Sequence, residues 1–173
     1  MQTFLPYPDF AASVATLDRQ RLGKQRVETL QLLYWLHGVK MVDPAALKMV
    51  PRLSKWNHPA AGMWSGHEQA LLRYQEATCN EWTSRGYKDT CLAKSRFVVE
   101  SLPLDDHGDP AWLGDPDFHA RHRSNLLRKD EGHYRQFFSE DPVDLEYVWP
   151  QGVIPLRTRL DDAYEAVIEE LGL

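Results

Sequence analysis

The sequence predicts an all-α fold: a compact single-domain helical bundle over residues 1–173, with an irregular amino-terminal segment and an added carboxy-terminal amphipathic helix. Three observations carry that reading. Apolar residues recur at three- and four-residue spacing over several long stretches. Those stretches are bounded by helix punctuation, with Asp18 and Pro59 at starts and Gly38 and Gly86 at stops. No run shows the strict alternation of a half-buried strand. A chain of 173 residues with 43% hydrophobic content and six tryptophans can bury one substantial core and is short for two.

Taken in order, Phe4 to Pro8 is extended, because Pro6 and Pro8 disfavour helix in the residues before them. A short helical turn follows from Asp9. Asp18 caps a long amphipathic helix that ends at Gly38 and tolerates Gly23 inside it, at a cost of about 1 kcal/mol. At 100° per residue, Arg21, Lys24, Gln25, Glu28 and Gln31 share one side of this helix. Val27, Leu30, Leu33 and Tyr34 form the side expected to pack. Val39 to Trp56 reads as a connection with a short helix, Pro44 to Met49. A second long helix spans Pro59 to Gly86, its core face marked by Met63, His67, Ala70, Leu71, Tyr74, Ala77 and Trp82. A third runs from Lys94 to Leu102, before a loop rich in Pro, Gly and Asp from Pro103 to Asp117. Phe118 to Lys129 and Asp130 to Phe138 are helical, and Leu160, Ala163, Tyr164, Val167, Ile168 and Leu171 mark the closing helix.

Cys79 and Cys91 are the two cysteines, without CxxC spacing, so neither a disulfide scaffold nor a cysteine-rich zinc site is indicated and a reducing, cytoplasmic setting is expected. No run reaches the roughly 18 apolar residues of a membrane span, and the start of the chain lacks the pattern of a signal peptide. The net charge of −5 opposes nucleic-acid binding at first sight. Its distribution weakens that objection. From Ser139 onward nine acids face two arginines, an acidic extension expected to pack on the domain, whereas the first 138 residues hold 18 basic and 16 acidic residues. Cations concentrate at Arg19 to Arg26 and at Arg121 to Arg135, which leaves room for a local positive groove. Glu28 is a single carboxylate on a face that also carries Arg21, Lys24 and Gln25. Cations around it favour its charged form, suited to stabilising a developing sugar cation or moving a proton. The same pattern also fits a solvated face of i,i+3 and i,i+4 pairs.

Three segments together resemble the pyrimidine-dimer DNA glycosylase/AP-lyase family, the T-even phage endonuclease V-like proteins. Leu17 to Glu28 looks like the helix bearing that family's glutamate. His58 to Thr90, with Gly66-His67, a long helix and Arg85-Gly86-Tyr87-Lys88-Asp89-Thr90, is similar to its central helix and exit. Phe118 to Phe138 resembles its basic and aromatic carboxy-terminal segment through His119-Ala120, Ser124 to Lys129 and His133-Tyr134-Arg135. The resemblance implies a compact all-α domain acting on damaged or modified duplex DNA as a monomer, without metal or organic cofactor. It implies that a free α-amine attacks the anomeric carbon of a pyrimidine nucleotide and expels the base through an imine. The glutamate assists that step and the strand cleavage that follows by β-elimination. An α-amine, with a reference pKa of about 7.7–8.0, is far more often unprotonated at neutral pH than a lysine.

Carried over by position, the catalytic pair is Met1 and Glu28, and bulky Gln2 is expected to keep Met1 in place. Val27 stands where the family has an arginine, and Arg21 where it has a histidine. The DNA-binding candidates are Gln2, Arg21, Lys24, Gln25, Asn57, His58, His119, Arg123, Asn125, Arg128 and Lys129. Asn57 and His58 precede a helix start, where exposed N–H groups attract phosphate, although Asn57 serves equally as a plain cap. Trp56 is a candidate platform for an extruded base. Two alternatives stay open: a non-catalytic nucleic-acid-binding module, and a metal-dependent nucleotide hydrolase using histidines among His58, His67, His119, His122 and His133.

Overall fold

The computed structural model describes residues 1–43, 45–46, 48–51 and 58–171. After an extended amino-terminal segment come α1 (Phe10–Ala15), α2 (Arg19–Leu36), strands β1 (Val39–Asp43) and β2 (Lys48–Pro51), and α3 (Pro59–Trp64). Then follow α4 (Glu68–Ser84), α5 (Leu92–Ser101), α6 (Pro116–Lys129), α7 (Glu131–Tyr134) and α8 (Leu156–Leu171). Among the described residues no helix is long and apolar enough to cross a membrane.

Asp18 caps α2 as expected, its side chain accepting from Arg21 N–H at 3.0 Å. Leu22, Leu32, Leu33 and Leu36 of α2 are wholly buried, and the helix packs across α4. Gly23 is the residue that lets them approach: a Cβ there would lie 3.1 Å from the Trp82 ring. Around this pair an aromatic chain fills the core, with Trp112 edge-on to Trp64 at 4.9 Å and tilted against Phe118 at 4.8 Å. Phe10 meets Tyr74 edge-on at 5.7 Å.

Four sequence expectations are corrected. The short helix at 44–49 is replaced by an antiparallel hairpin with Val39 opposite Pro51 and Met41 opposite Met49. Asp43 builds its turn by accepting from Ala45 and Ala46 N–H. Val39 then packs with Val98, Leu102 and Val167, so burial against α5 and α8 outweighs local helix preference. The long helix at 59–86 is broken at Ser65-Gly66-His67, where Gly66 takes φ 87°. The backbone freed there is used by distant chain: His107 N–H donates to Gly66 O and Gly152 N–H to Gly62 O, each at 2.9 Å. A Cβ on Gly66 would lie 2.6 Å from Val153. The helix predicted to reach Phe138 stops at Tyr134. Val27 does not pack; it is 43% exposed.

The chain beyond α7 lies along α6. Asp141 pairs with Arg123 at 2.7 Å, Arg128 donates to Val143 O and Leu145 O, and Arg121 donates to Glu146 O. Arg159 of α8 is buried against buried Glu68, 3.0 Å away. Burial pushes the Glu68 carboxyl up to about 7, with Arg159 and the Gly66 N–H opposing.

Candidate active site

Every residue from Gln2 to Pro6 is tied down by a side chain from a helix. Gln25 of α2 is 1% exposed and serves two of them: its Oε1 accepts from Phe4 N–H at 3.0 Å, and its Nε2 donates to Gln2 O at 2.7 Å. Tyr74 of α4 donates its hydroxyl to the same Oε1 at 2.7 Å, which fixes the amide's orientation. Trp64 donates to Thr3 Oγ1, Leu5 N–H to His122 Nδ1, and Arg123 to Pro6 O, each at 3.0 Å. His119 accepts from Gly114 N–H at Nε2, so its proton resides on Nδ1, which donates to Leu5 O at 2.7 Å. A chain start is ordinarily loose. Here each residue from Gln2 to Pro6 has a helix side chain as partner.

The consequence is a defined place for the terminal amine. Met1 N lies 3.4 Å from His58 Nε2, and Gln2 N–H, one peptide group away, donates to Glu28 Oε2 at 3.3 Å. Met1, Gln2, Phe4, Gln20, Arg21, Lys24, Gln25, Glu28 and Lys129 line a cleft of about 370 Å³. It is continuous with a larger groove that shares Gln20, Arg21, Lys24, Glu28 and Lys129 and extends to Arg19, Val27 and Trp82. Among the described residues neither Lys24 nor Lys129 has an ion-pair partner; Lys129 Nζ sits 5.8 Å from the centre of the Phe4 ring. Arg21 also lines the cleft but is paired with Asp18 and lies over Tyr134. Burial disfavours the Asp18 charge, yet hydrogen bonds from the Arg21 N–H and guanidinium and the Tyr134 hydroxyl outweigh it and hold the carboxyl at about 2.

The sequence candidates therefore separate. Met1, Gln2, Glu28, Arg21 and Lys24 come together with Lys129, which arrives from α6 more than a hundred residues later. Gln25 also lines the cleft, while its amide is buried and engaged with the chain start. His119 is 2% exposed with both nitrogens engaged, and burial lowers its pKa. Arg123 and Arg128 do not line the cleft, and their guanidinium groups hold Pro6 O, Asp141 and the carbonyls at 143 and 145. Asn125 is half-buried on α6 and does not line the cleft. His58 caps α3 and faces Met1. Asn57 and Trp56 lie outside the described residues.

His67 bonds Gly108 O, His133 bonds Thr16 O, and His122 bonds Leu5 N–H and the Tyr147 hydroxyl. No group of three metal-ligating side chains forms among the described residues. Sequence reasoning missed Gln20, Val27 and Trp82 as walls of the groove. Gly23 was the available signal, since a glycine inside a helix marks where a large ring lies close.

Residues 1–95, just over half of the 173-residue chain, match the family model described as pyrimidine dimer DNA glycosylase. The match includes α2 with Glu28 and the chain start, and ends within α5. No curated protein and no solved structure matches the chain significantly.

Proposed function

The chain belongs to the pyrimidine dimer DNA glycosylase family, and on that premise we propose that it removes a damaged or modified pyrimidine through the Met1 amine and Glu28, with an AP-lyase step. The amine nitrogen bonds to C1′ of the extruded nucleotide, and the glycosidic bond breaks with its electron pair leaving on the base. Loss of a proton from nitrogen, with opening of the sugar, gives an imine. Removal of a C2′ proton then lets the C3′–oxygen bond break, which cuts the strand. Glu28 sits where it can stabilise the cationic sugar and shuttle the proton. Lys24 and Lys129 receive flanking phosphates, and the open groove along α2 accommodates the strand. Extruding the nucleotide costs a few kcal/mol, less for a lesion that already pairs poorly, which contributes selectivity. The single domain would act as a monomer with no added cofactor.

The observation that supports this reading most strongly is the Gln2 N–H bond to Glu28 Oε2, which couples the chain start to the one carboxylate that lines the 370 Å³ cleft among the described residues. The test is incubation with duplexes carrying a pyrimidine dimer in the presence of borohydride. A covalent protein–DNA adduct is expected for the native chain and is expected to vanish in Glu28→Gln and after acetylation of the α-amine. An adduct that survives α-amine acetylation would refute the assignment of Met1.

A further inference from the structure

His58 stands at a junction that the reaction above does not use. It is the N-cap of α3, with extended backbone, and its Nδ1 accepts from Ala60 N–H at 3.1 Å. A backbone N–H can only donate, so Nδ1 must present its lone pair. Neutral imidazole has one ring proton, and the cap therefore forces it onto Nε2. Nε2 is the atom 3.4 Å from the Met1 nitrogen. An N–H facing an ammonium would be a clash of donors; facing an unprotonated amine it makes a hydrogen bond.

We propose that His58 is a positioning residue that donates Nε2–H to the unprotonated Met1 amine, holding the amine beside the Glu28 cleft in the form that can attack. The role in catalysis rests on the reading of Met1 as nucleophile. At 3.4 Å the bond is long, so the lone pair is released to an incoming sugar at little cost. The groups that face His58 agree with a neutral ring. Burial lowers its pKa, with Glu28 of α2 opposing. From the segment after α7, Trp149 packs edge-on against the ring at 5.8 Å. Tyr147 meets Trp149 edge-on at 4.7 Å, its hydroxyl 3.2 Å from neutral His122. Residues outside the family match thus brace the amine's partner.

Two measurements on the full chain test this without DNA. Nitrogen NMR at pH 7 reads the His58 tautomer, and reductive methylation with formaldehyde, followed by peptide mass analysis, reads the pH profile of the α-amine. The expected ring is protonated on Nε2 with Nδ1 bare. His58→Asn retains an oxygen to cap Ala60 but removes the donor. It is expected to slow methylation at pH 7 about threefold, the effect of one modest hydrogen bond, and to converge with the native chain above pH 9. Trp149→Leu, which leaves the cap intact, is expected to shift the profile in the same direction by less. A proton on Nδ1 at pH 7, or a His58→Asn profile superimposable on the native one, overturns the proposal. If the profile shifts as expected while lesion duplexes are never trapped, the nucleophile reading fails and the His58–amine pair stands.

Discussion

Two helices of this protein look alike as charge and behave differently as structure. α2 carries Arg19, Arg21, Lys24 and Arg26; α6 carries Arg121, Arg123, Arg128 and Lys129. On α6 the three guanidinium groups are spent on Asp141 and on carbonyls at 6, 143, 145 and 146, so that helix secures the acidic extension and the chain start. On α2, Arg21 and Arg26 are paired with Asp18 and Asp89, and Lys24 remains open on the cleft. Arginine, with five donors in a rigid fork, suits carbonyl pinning, whereas a lysine ammonium on its flexible stem stays available. Cation density alone therefore does not say which cations stay open on the groove. The acceptors within reach of each cation do.

That contrast can be broken or sharpened at several points. Glu28→Gln is expected to have the largest effect, lowering base release by about 10²-fold or more while DNA affinity is unchanged or improved. Loss of binding together with activity would make Glu28 part of the scaffold. Gln25→Leu should be costly in another way, because it strips partners from the buried Tyr74 hydroxyl, Phe4 N–H and Gln2 carbonyl. Urea unfolding is expected to register a loss of about 3 kcal/mol. A near-neutral result would mean that the chain start is held from elsewhere.

Next come the salt dependences. Lys24→Ala and Lys129→Ala should each reduce the slope of log affinity against log salt by about one, and Arg128→Ala should leave it unchanged while loosening residues 143–145 in hydrogen exchange. A slope change for Arg128→Ala would extend the phosphate surface on α6 beyond Lys129.

The smallest effect is on stability against pH. Burial pushes His122 down to about 3 and His37 to about 4, below the ordinary histidine value, so below about pH 6.5 the unfolded chain takes up protons that the fold refuses. Stability falls with pH there. Glu68, raised to about 7, works in the opposite sense, holding a proton in the fold that the unfolded chain releases between about pH 4.5 and 7. With His58 and His119 also lowered, four histidines act against one carboxyl, so the melting temperature is expected to drop from pH 6.5 to 4.5, and Glu68→Gln to steepen the drop. A flat profile would contradict the burial of the His122 and His37 rings.

Much of the helical frame was legible because it rests on local chemistry: Asp18 caps α2, Pro59 opens α3, and the spacing of Ala163 and Val167 gives α8 its buried stripe. What escaped depends on distant partners. The break at Gly66 exists because residues 107 and 152–154 use the freed backbone, and the hairpin exists because α5 and α8 bury Val39. The cleft divides in the same way. Glu28 could be found as an acid among cations on one helical face, since faces follow from the 100° step. That Gln25 beside it is buried could not be read, because its partners Phe4 and Tyr74 lie 21 and 49 residues away.

The central claim is that the first nitrogen of the chain, rather than a lysine of the same cleft, is the nucleophile. Peptide mapping of the borohydride-fixed adduct on a pyrimidine-dimer duplex tests it most directly. The expected result is one nucleotide remnant on the α-amine of Met1. A remnant on Lys24 or Lys129, the lysines that line that cleft among the described residues, would contradict the account.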